Sequence, residues 1–237
     1  MKNTINAFSI VLWVVVMTLT GCASTTLFKS DFDPSAIGQP PAHAQPVGTA
    51  DVSGSIAVIG PPVSPSGKWV AVRRAATPPD QSPSPLAIFQ GNLVSSQGVG
   101  TYTFSTVLYL PSGTNNVATI QFDRFGWPVS DVTGGFLHID FLPDNTVRID
   151  DKESTKFGQF PRNQAFIVQV TLNIHPTAPT ARIVLSGAGA AGETTYAIST
   201  PVFVSWAQQF GAVKLWMGFP RTGEFDATQI VVTYKKP

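Results

Sequence analysis

Phe166-Ile167-Val168-Gln169-Val170-Thr171-Leu172-Asn173-Ile174 is the clearest strand signal in the chain. Large apolar residues occupy every second position from Phe166 to Ile174, and Gln169, Thr171 and Asn173 lie between them. Because successive side chains of a strand point to opposite faces of its sheet, this spacing predicts a β-strand with one buried and one polar face.

The same alternation recurs along the chain, and the segments that show it are Tyr102 to Leu110, Ala118 to Phe122, Leu137 to Phe141, Val213 to Phe219 and Ile230 to Tyr234. Twenty glycines and twenty prolines separate these runs. Many short alternating runs with frequent turn residues are typical of an all-β sandwich or barrel. No segment predicts a long helix, although one helical turn fits between Pro201 and Gly211.

The composition limits the possible partners and chemistry. The net charge is +1 and only 12% of the 237 residues are charged, so no strong field attracts nucleic acid or anionic lipid. Cys22 is the single cysteine. If its thiol is consumed by lipid, the folded part has no disulfide, no zinc–thiolate site and no cysteine nucleophile.

The N-terminal segment predicts export. Lys2 precedes an apolar run from Ala7 to Leu19 that is too short for a durable membrane span. Leu19-Thr20-Gly21-Cys22 resembles the lipobox of bacterial lipoproteins, which implies cleavage before Cys22 and lipid on its sulfur. Because Ala23, and not an aspartate, follows, the resemblance implies the outer membrane of the cell envelope. The expected division is a signal peptide over 1–21, a lipidated tether over 22–26 and a single β-sandwich domain over 27–237.

The order of segments resembles the concanavalin A-like (laminin-G-like) jelly rolls. The elements that carry the resemblance are Leu27 to Asp33 with the turn Ile37 to Pro41, then Gly67 to Val72, Phe166 to Ile174, and Gly223 to Asp226 before Ile230 to Tyr234. The resemblance implies two antiparallel sheets packed face to face. It also implies that the opening and closing strands pair, which places the tether close to the C-terminus.

Polar and aromatic positions opposite the expected core faces are the candidate ligand-binding residues, namely Asp123, Trp127, His138, Asp140, Arg148, Gln169 and Trp216. Aromatic rings stack on the C–H faces of sugars while amides and charged groups bind the hydroxyls. These residue types therefore favour a carbohydrate, such as a polysaccharide or peptidoglycan sugar.

Catalytic and cofactor motifs are weak or missing. Gly187 to Gly192 fits G-x-G-x-x-G, but a strand-like segment follows it where a dinucleotide site needs a helix. G-x-S-x-G is absent. Glycoside hydrolysis needs two carboxylates, yet each of the three glutamates lies in a turn-like context and none shares a strand with another acid. A pair from Asp123, Asp140 and Asp150 stays open, as does a structural calcium near Asp144-Asn145 or Asp150-Asp151.

These observations predict a lipid-anchored envelope protein that binds carbohydrate and is not an enzyme, with no cofactor, no catalytic metal and no nucleotide. Two alternatives remain: a structural or assembly lipoprotein that binds another envelope protein, and an unconventional glycan-cleaving enzyme.

Overall fold

A computed structural model describes residues 23–46, 55–74, 87–126, 135–199, 210–218 and 222–237. Its regular elements are the strands β1 (Thr25–Ser30), β2 (Ala44–Pro46), β3 (Ile56–Ile59), β4 (Trp69–Arg74), β5 (Ala87–Asn92), β6 (Gly100–Tyr109), β7 (Ala118–Arg124), β8 (Leu137–Phe141), β9 (Val147–Ile149), β10 (Lys152–Phe157), β11 (Ala165–Ile174), β12 (Thr180–Ser186), β13 (Gly192–Ala197), β14 (Phe210–Met217) and β15 (Gly223–Lys235). Within those ranges no helix is long and apolar enough to cross a membrane.

The strands form two antiparallel sheets. The first has the order β13-β12-β11-β6-β15-β4-β3, with β1 paired to β15, and the second has the order β10-β9-β8-β7-β14-β5-β2. Thr25 of β1 lies opposite Tyr234 of β15, so the opening and closing strands pair as expected. The predicted two-sheet, all-β sandwich is confirmed.

The core lies between the sheets and is built from the alternating sets. Phe166, Val168, Val170, Leu172 and Ile174 of β11 are all buried, while Ile167 and Gln169 point outward and are exposed. Aromatic rings join the two layers edge to face, as Phe104 of β6 and Phe122 of β7 do at 5.4 Å between centroids. Such side chains supply most of the free energy that holds a thiol-poor domain together.

The helical turn expected between Pro201 and Gly211 falls on residues 201–209, which lie outside the described ranges. Gly211 itself lies inside β14. A Cβ on Gly211 would lie 2.1 Å from the Cα of Phe125, so only glycine permits this close approach of two backbones.

The three glutamates are strand residues and not turn residues: Glu153 is in β10, Glu193 in β13 and Glu224 in β15. Glu224 also shares β15 with Asp226. The register of β15 shifts between Thr228 and Val231, where Gln229 has a φ of 52°. This bulge interrupts the apolar alternation between Ala227 and Ile230, which is why the strand was predicted to begin too late.

The strand directions define two ends of the sandwich. The tether end carries the start of β1, the end of β15, the start of β6 and the loop 93–99 before it. The distal end carries the start of β15, the end of β4 and the end of β6. β15 runs between the ends, and its thirteen residues span about 40 Å.

Candidate functional site

The outer side of the second sheet carries a cluster of polar side chains. This polar face consists of Gln90, Asn92, Thr119, Gln121, Asp123, His138, Asp140, Arg148, Lys214 and Trp216. Strand register arranges them in rows: Gln90, Lys214, Gln121 and His138 form one, and Trp216, Thr119, Asp140 and Arg148 form the next. Each row crosses four neighbouring strands, which are about 4.8 Å apart.

An ion pair with no solvent exposure lies in the middle of the face. Lys214 Nζ is 2.5 Å from Asp123 Oδ2, and both side chains are 0% exposed. Gln121 Nε2 donates to the other oxygen, Asp123 Oδ1, at 2.7 Å. Burial raises the pKa of Asp123, and the bonds from Lys214 and Gln121 oppose this increase. The carboxylate is therefore held by two partners and does not face solvent.

The same hydrogen-bond network holds Trp216 in place. Its Nε1–H donates to Gln121 Oε1 at 3.0 Å, while the side chain itself remains partly exposed. Gly135 packs on the other side of Gln121, where a Cβ would lie 2.6 Å from Gln121 Cγ and 2.6 Å from His138 Nε2. The indole ring is therefore fixed at one edge with part of its surface open.

Arg148 joins the end of the second row to the β9–β10 turn. Its Nη2 lies 3.1 Å from Asp140 Oδ2 and 2.5 Å from Asp151 Oδ1, and its Nη1 lies 3.4 Å from Glu153 Oε1. Thr119 Oγ1 donates to Asp140 Oδ1 at 2.9 Å. Burial raises the pKa of Asp140, against the bonds from Thr119 and Arg148. One guanidinium thus faces three carboxylates, and the local charge is negative.

Five of the seven candidate binding residues lie together on this face: Asp123, His138, Asp140, Arg148 and Trp216. Gln169 lies apart from them, exposed on the outer side of the first sheet, and Trp127 lies outside the described residues. Lys214 and Thr119 were not among the candidates. The sequence did contain a feature that could have identified Lys214, because it is a lysine between Val213 and Leu215 in an apolar strand. Such a position often needs a buried counter-charge.

Each of the three aspartates that remained as possible hydrolytic acids already binds a cation or a backbone N–H of the protein. Asp140 lies opposite Thr119, four residues along β7 from Asp123, so their backbones are about 13 Å apart along the strand. Glycosidases need carboxyl groups about 5 to 9.5 Å apart. Asp150 Oδ1 accepts a hydrogen bond from the backbone N–H of His138 at 2.8 Å, so this carboxylate is bound to the backbone of β8.

The two turns considered for calcium are closed by their own hydrogen bonds. Asp144 Oδ1 accepts from the backbone N and from Oγ1 of Thr146, Asp150 Oδ1 accepts from the backbone N–H of His138, and Asp151 Oδ1 accepts from Arg148 Nη2. No group of three or more acidic, histidine or cysteine side chains that could hold a metal ion occurs in the part of the chain that the structure describes.

A concavity lies at the distal end, outside the polar face. It has a volume of about 540 Å³ and is lined by Arg73, Arg74, Ser112, Thr114 and Glu224, among others. Arg73 binds Glu224 through two bonds, Nε to Oε2 at 2.8 Å and Nη2 to Oε1 at 3.3 Å. Behind it, burial raises the pKa of Asp226 to about 8, assisted by the charge of Glu224 and opposed by Arg73.

Comparison with known proteins gives structural matches only. No protein-family model and no curated protein sequence matches the chain. An endo-1,3-β-glucanase from Streptomyces sioyaensis superposes with a TM-score of 0.60 at 13% identity, covering 90% of this chain and 97% of that one.

Two further matches cover the chain equally well. An alginate lyase in complex with an alginate trisaccharide has a TM-score of 0.53 at 10% identity, covering 90% of this chain and 98% of that one. Lectin II from Ulex europaeus has a TM-score of 0.51 at 11% identity, with 90% and 99% covered. With sheets of the same kind over nine-tenths of its length, this chain has the concanavalin A-like sandwich fold.

Proposed function

We propose that this protein is a non-catalytic carbohydrate-binding module, held in the cell envelope by a lipid on Cys22. The observation that carries the binding proposal is Trp216, whose indole N–H is fixed by Gln121 Oε1 while its ring remains partly exposed. A sugar can stack on a ring that is already immobilised without paying for the ordering of that side chain. Lectins and glycan-cleaving enzymes among the structural matches are consistent with this class of ligand.

The contact surface would be the accessible part of the polar face. Trp216, His138 and Arg148 are partly exposed, whereas Gln121, Asp123 and Lys214 are buried and serve to position them. Trp216 and Arg148 end the same row, three strands apart, and are therefore separated by about 14 Å. A row of this length suits an extended glycan chain better than a single sugar ring.

The charges on this face favour a neutral glycan. Arg148 and Lys156 lie near its edge and are paired with Asp140, Asp144, Asp151 and Glu153, and Lys152 lies there beside Asp150. Five carboxylates against three cations leave a local excess of negative charge, which repels a uronate. Binding without cleavage at the polar face is supported by its carboxylates, because Asp123, Asp140 and Asp150 are each engaged by a cation or a backbone N–H.

The binding proposal is tested with an array of neutral and uronate-containing oligosaccharides, followed by calorimetry on the best ligand. We expect binding to neutral chains and a loss of affinity of about tenfold or more in Trp216→Ala, from the lost ring contact. Ile167→Ala, which removes an exposed side chain on the opposite sheet, is the matched control and should bind normally. An array without any bound glycan contradicts the proposal and favours a protein partner, and the release of shorter sugars from a bound chain would show an enzyme.

The anchor proposal depends on the sequence Leu19-Thr20-Gly21-Cys22 and is tested separately. Cells that express the full chain are labelled with a palmitate analogue, and the protein is then fractionated with the membranes. We expect label in the wild type and none in Cys22→Ser. Equal label in both proteins would exclude Cys22 as the attachment site.

A further inference from the structure

The distance between Cys22 and the folded domain is very short. β1 begins at Thr25, three residues after Cys22, and Thr25 is held opposite Tyr234 of β15. Three fully extended residues span about 11 Å at most. If the sulfur of Cys22 carries lipid, the end of the sandwich that contains Thr25 has to lie within about that distance of the bilayer.

Two exposed apolar side chains lie at the same end. Val94 is 87% exposed in the loop 93–99, and Phe125 is 48% exposed at the end of β7. Gly211 brings them together, because its carbonyl accepts the N–H of Leu93 at 2.9 Å and its backbone packs against Phe125. Tyr102 links this group to the tether, since its ring contacts both Phe210 of β14 and Tyr234 of β15.

The charges around the tether, the loop 93–99 and the C-terminus fit a phospholipid surface. The loop 93–99, the connection 175–179 between β11 and β12, and the terminal residues 235–237 contain no aspartate or glutamate. Lys235 and Lys236 are exposed there. Lysines near an anionic membrane surface are attracted to it, and apolar side chains between them can enter the interfacial region.

We propose that the tether end is a membrane-contacting surface, with Val94 and Phe125 entering the interfacial region of the lipid and Lys235 and Lys236 facing its headgroups. This proposal rests on the lipid anchor proposed above. It orients the whole domain, because the distal pocket with Arg73 and Glu224 lies at the other end of β15, about 40 Å from the tether end.

The test uses the lipidated full-length protein in vesicles that contain an anionic phospholipid. Because Cys22 is the only natural cysteine, a fluorophore can be placed at one added cysteine at a time: Val94→Cys, Phe125→Cys, and the controls Ile167→Cys and Ser112→Cys. We expect lipids with brominated chains to quench the fluorophore at positions 94 and 125, and to leave it unquenched at 167 in the middle of a sheet and at 112 at the distal end.

A second experiment separates the surface from the short tether. A flexible ten-residue Gly/Ser insertion after Ser24 removes the length constraint. Quenching at position 94 should persist with the insertion and be lost when Phe125→Glu is added, whereas Ile167→Glu should have no effect. Loss of quenching on insertion alone, or no quenching at position 94 in a protein that carries the palmitate label, overturns this proposal and leaves the anchor intact. Absence of the palmitate label overturns the anchor, and this proposal with it.

Discussion

Asp226 should make this protein less stable as the pH rises, and Asp226→Asn should remove that effect. Asp226 lies in β15 between Ala71 of β4 and Tyr109 of β6 and is only 2% exposed. Burial is the main reason that its pKa is raised from 3.8 to about 8, and the neighbouring Glu224 adds to the shift. The folded protein therefore keeps a proton that the unfolded chain releases.

The sign and size follow from proton linkage. Below pH 3.8 Asp226 is protonated in both the folded and the unfolded state, so its titration does not lower the free energy of unfolding. Between pH 3.8 and about 8 the free energy of unfolding falls by about 1.4 kcal/mol per pH unit, which amounts to about 4 kcal/mol at pH 7. Asparagine resembles the protonated acid and does not titrate, so Asp226→Asn should be more stable than wild type by up to about 2 kcal/mol at pH 5 and about 4 kcal/mol at pH 7.

Urea denaturation followed by tryptophan fluorescence between pH 5 and 8.5 measures this difference. Asp144→Asn is the control, because hydrogen bonds from Thr146 lower the pKa of Asp144, so this carboxyl is ionised in both the folded and the unfolded state above pH 5 and its removal should give a difference that does not change with pH over this range. A difference between wild type and Asp226→Asn that does not change with pH would refute the reasoning. So would an asparagine variant that is less stable at every pH.

The remaining predictions concern Glu224, the buried ion pair and one glycine. Glu224→Gln removes a negative charge beside Asp226, so NMR titration should show a lower pKa of Asp226 than in wild type; an unchanged pKa would contradict the coupling. Lys214→Met leaves the buried Asp123 without its cation and should cost about 3 to 5 kcal/mol in urea denaturation. Adding Asp123→Leu should restore most of this loss, and a double variant no more stable than the single one would argue against the ion pair. Gly211→Ala should cost about 3 kcal/mol or more, because its Cβ would meet backbone atoms, whereas Gly60→Ala has open space and should be neutral in the same assay.

The polar face shows how far sequence reasoning reaches. Alternation identified Asp123, His138, Asp140, Arg148 and Trp216 as residues opposite a core face, and the structure places all five on one side of one sheet. Alternation could not distinguish these five residues from Gln169, which alternates in the same way on the other sheet. Period-two patterning reports the face of a strand on which a residue lies, but it does not report which sheet the strand joins.

The sequence also could not show that much of this polar face is buried. Lys214 and Asp123 are ninety-one positions apart in the chain and meet because β14 pairs with β7. Strand pairing over such separations depends on the packing of both sheets, which no local pattern contains. For the same reason the Glu224–Asp226 pair was missed, since a bulge at Gln229 hid the start of β15.

The amino-acid sequence alone determined that this chain is built from short strands, because alternation and turn residues act over a few neighbouring positions, and the resemblance of its segments to the concanavalin A-like jelly rolls pointed to the sandwich. Only the tertiary structure decided which polar residues meet, which of them are buried, and which end of the sandwich lies beside the tether. Those properties depend on contacts between strands far apart in the chain, and burial changes the charge of a group such as Asp226 only after the contacts have formed.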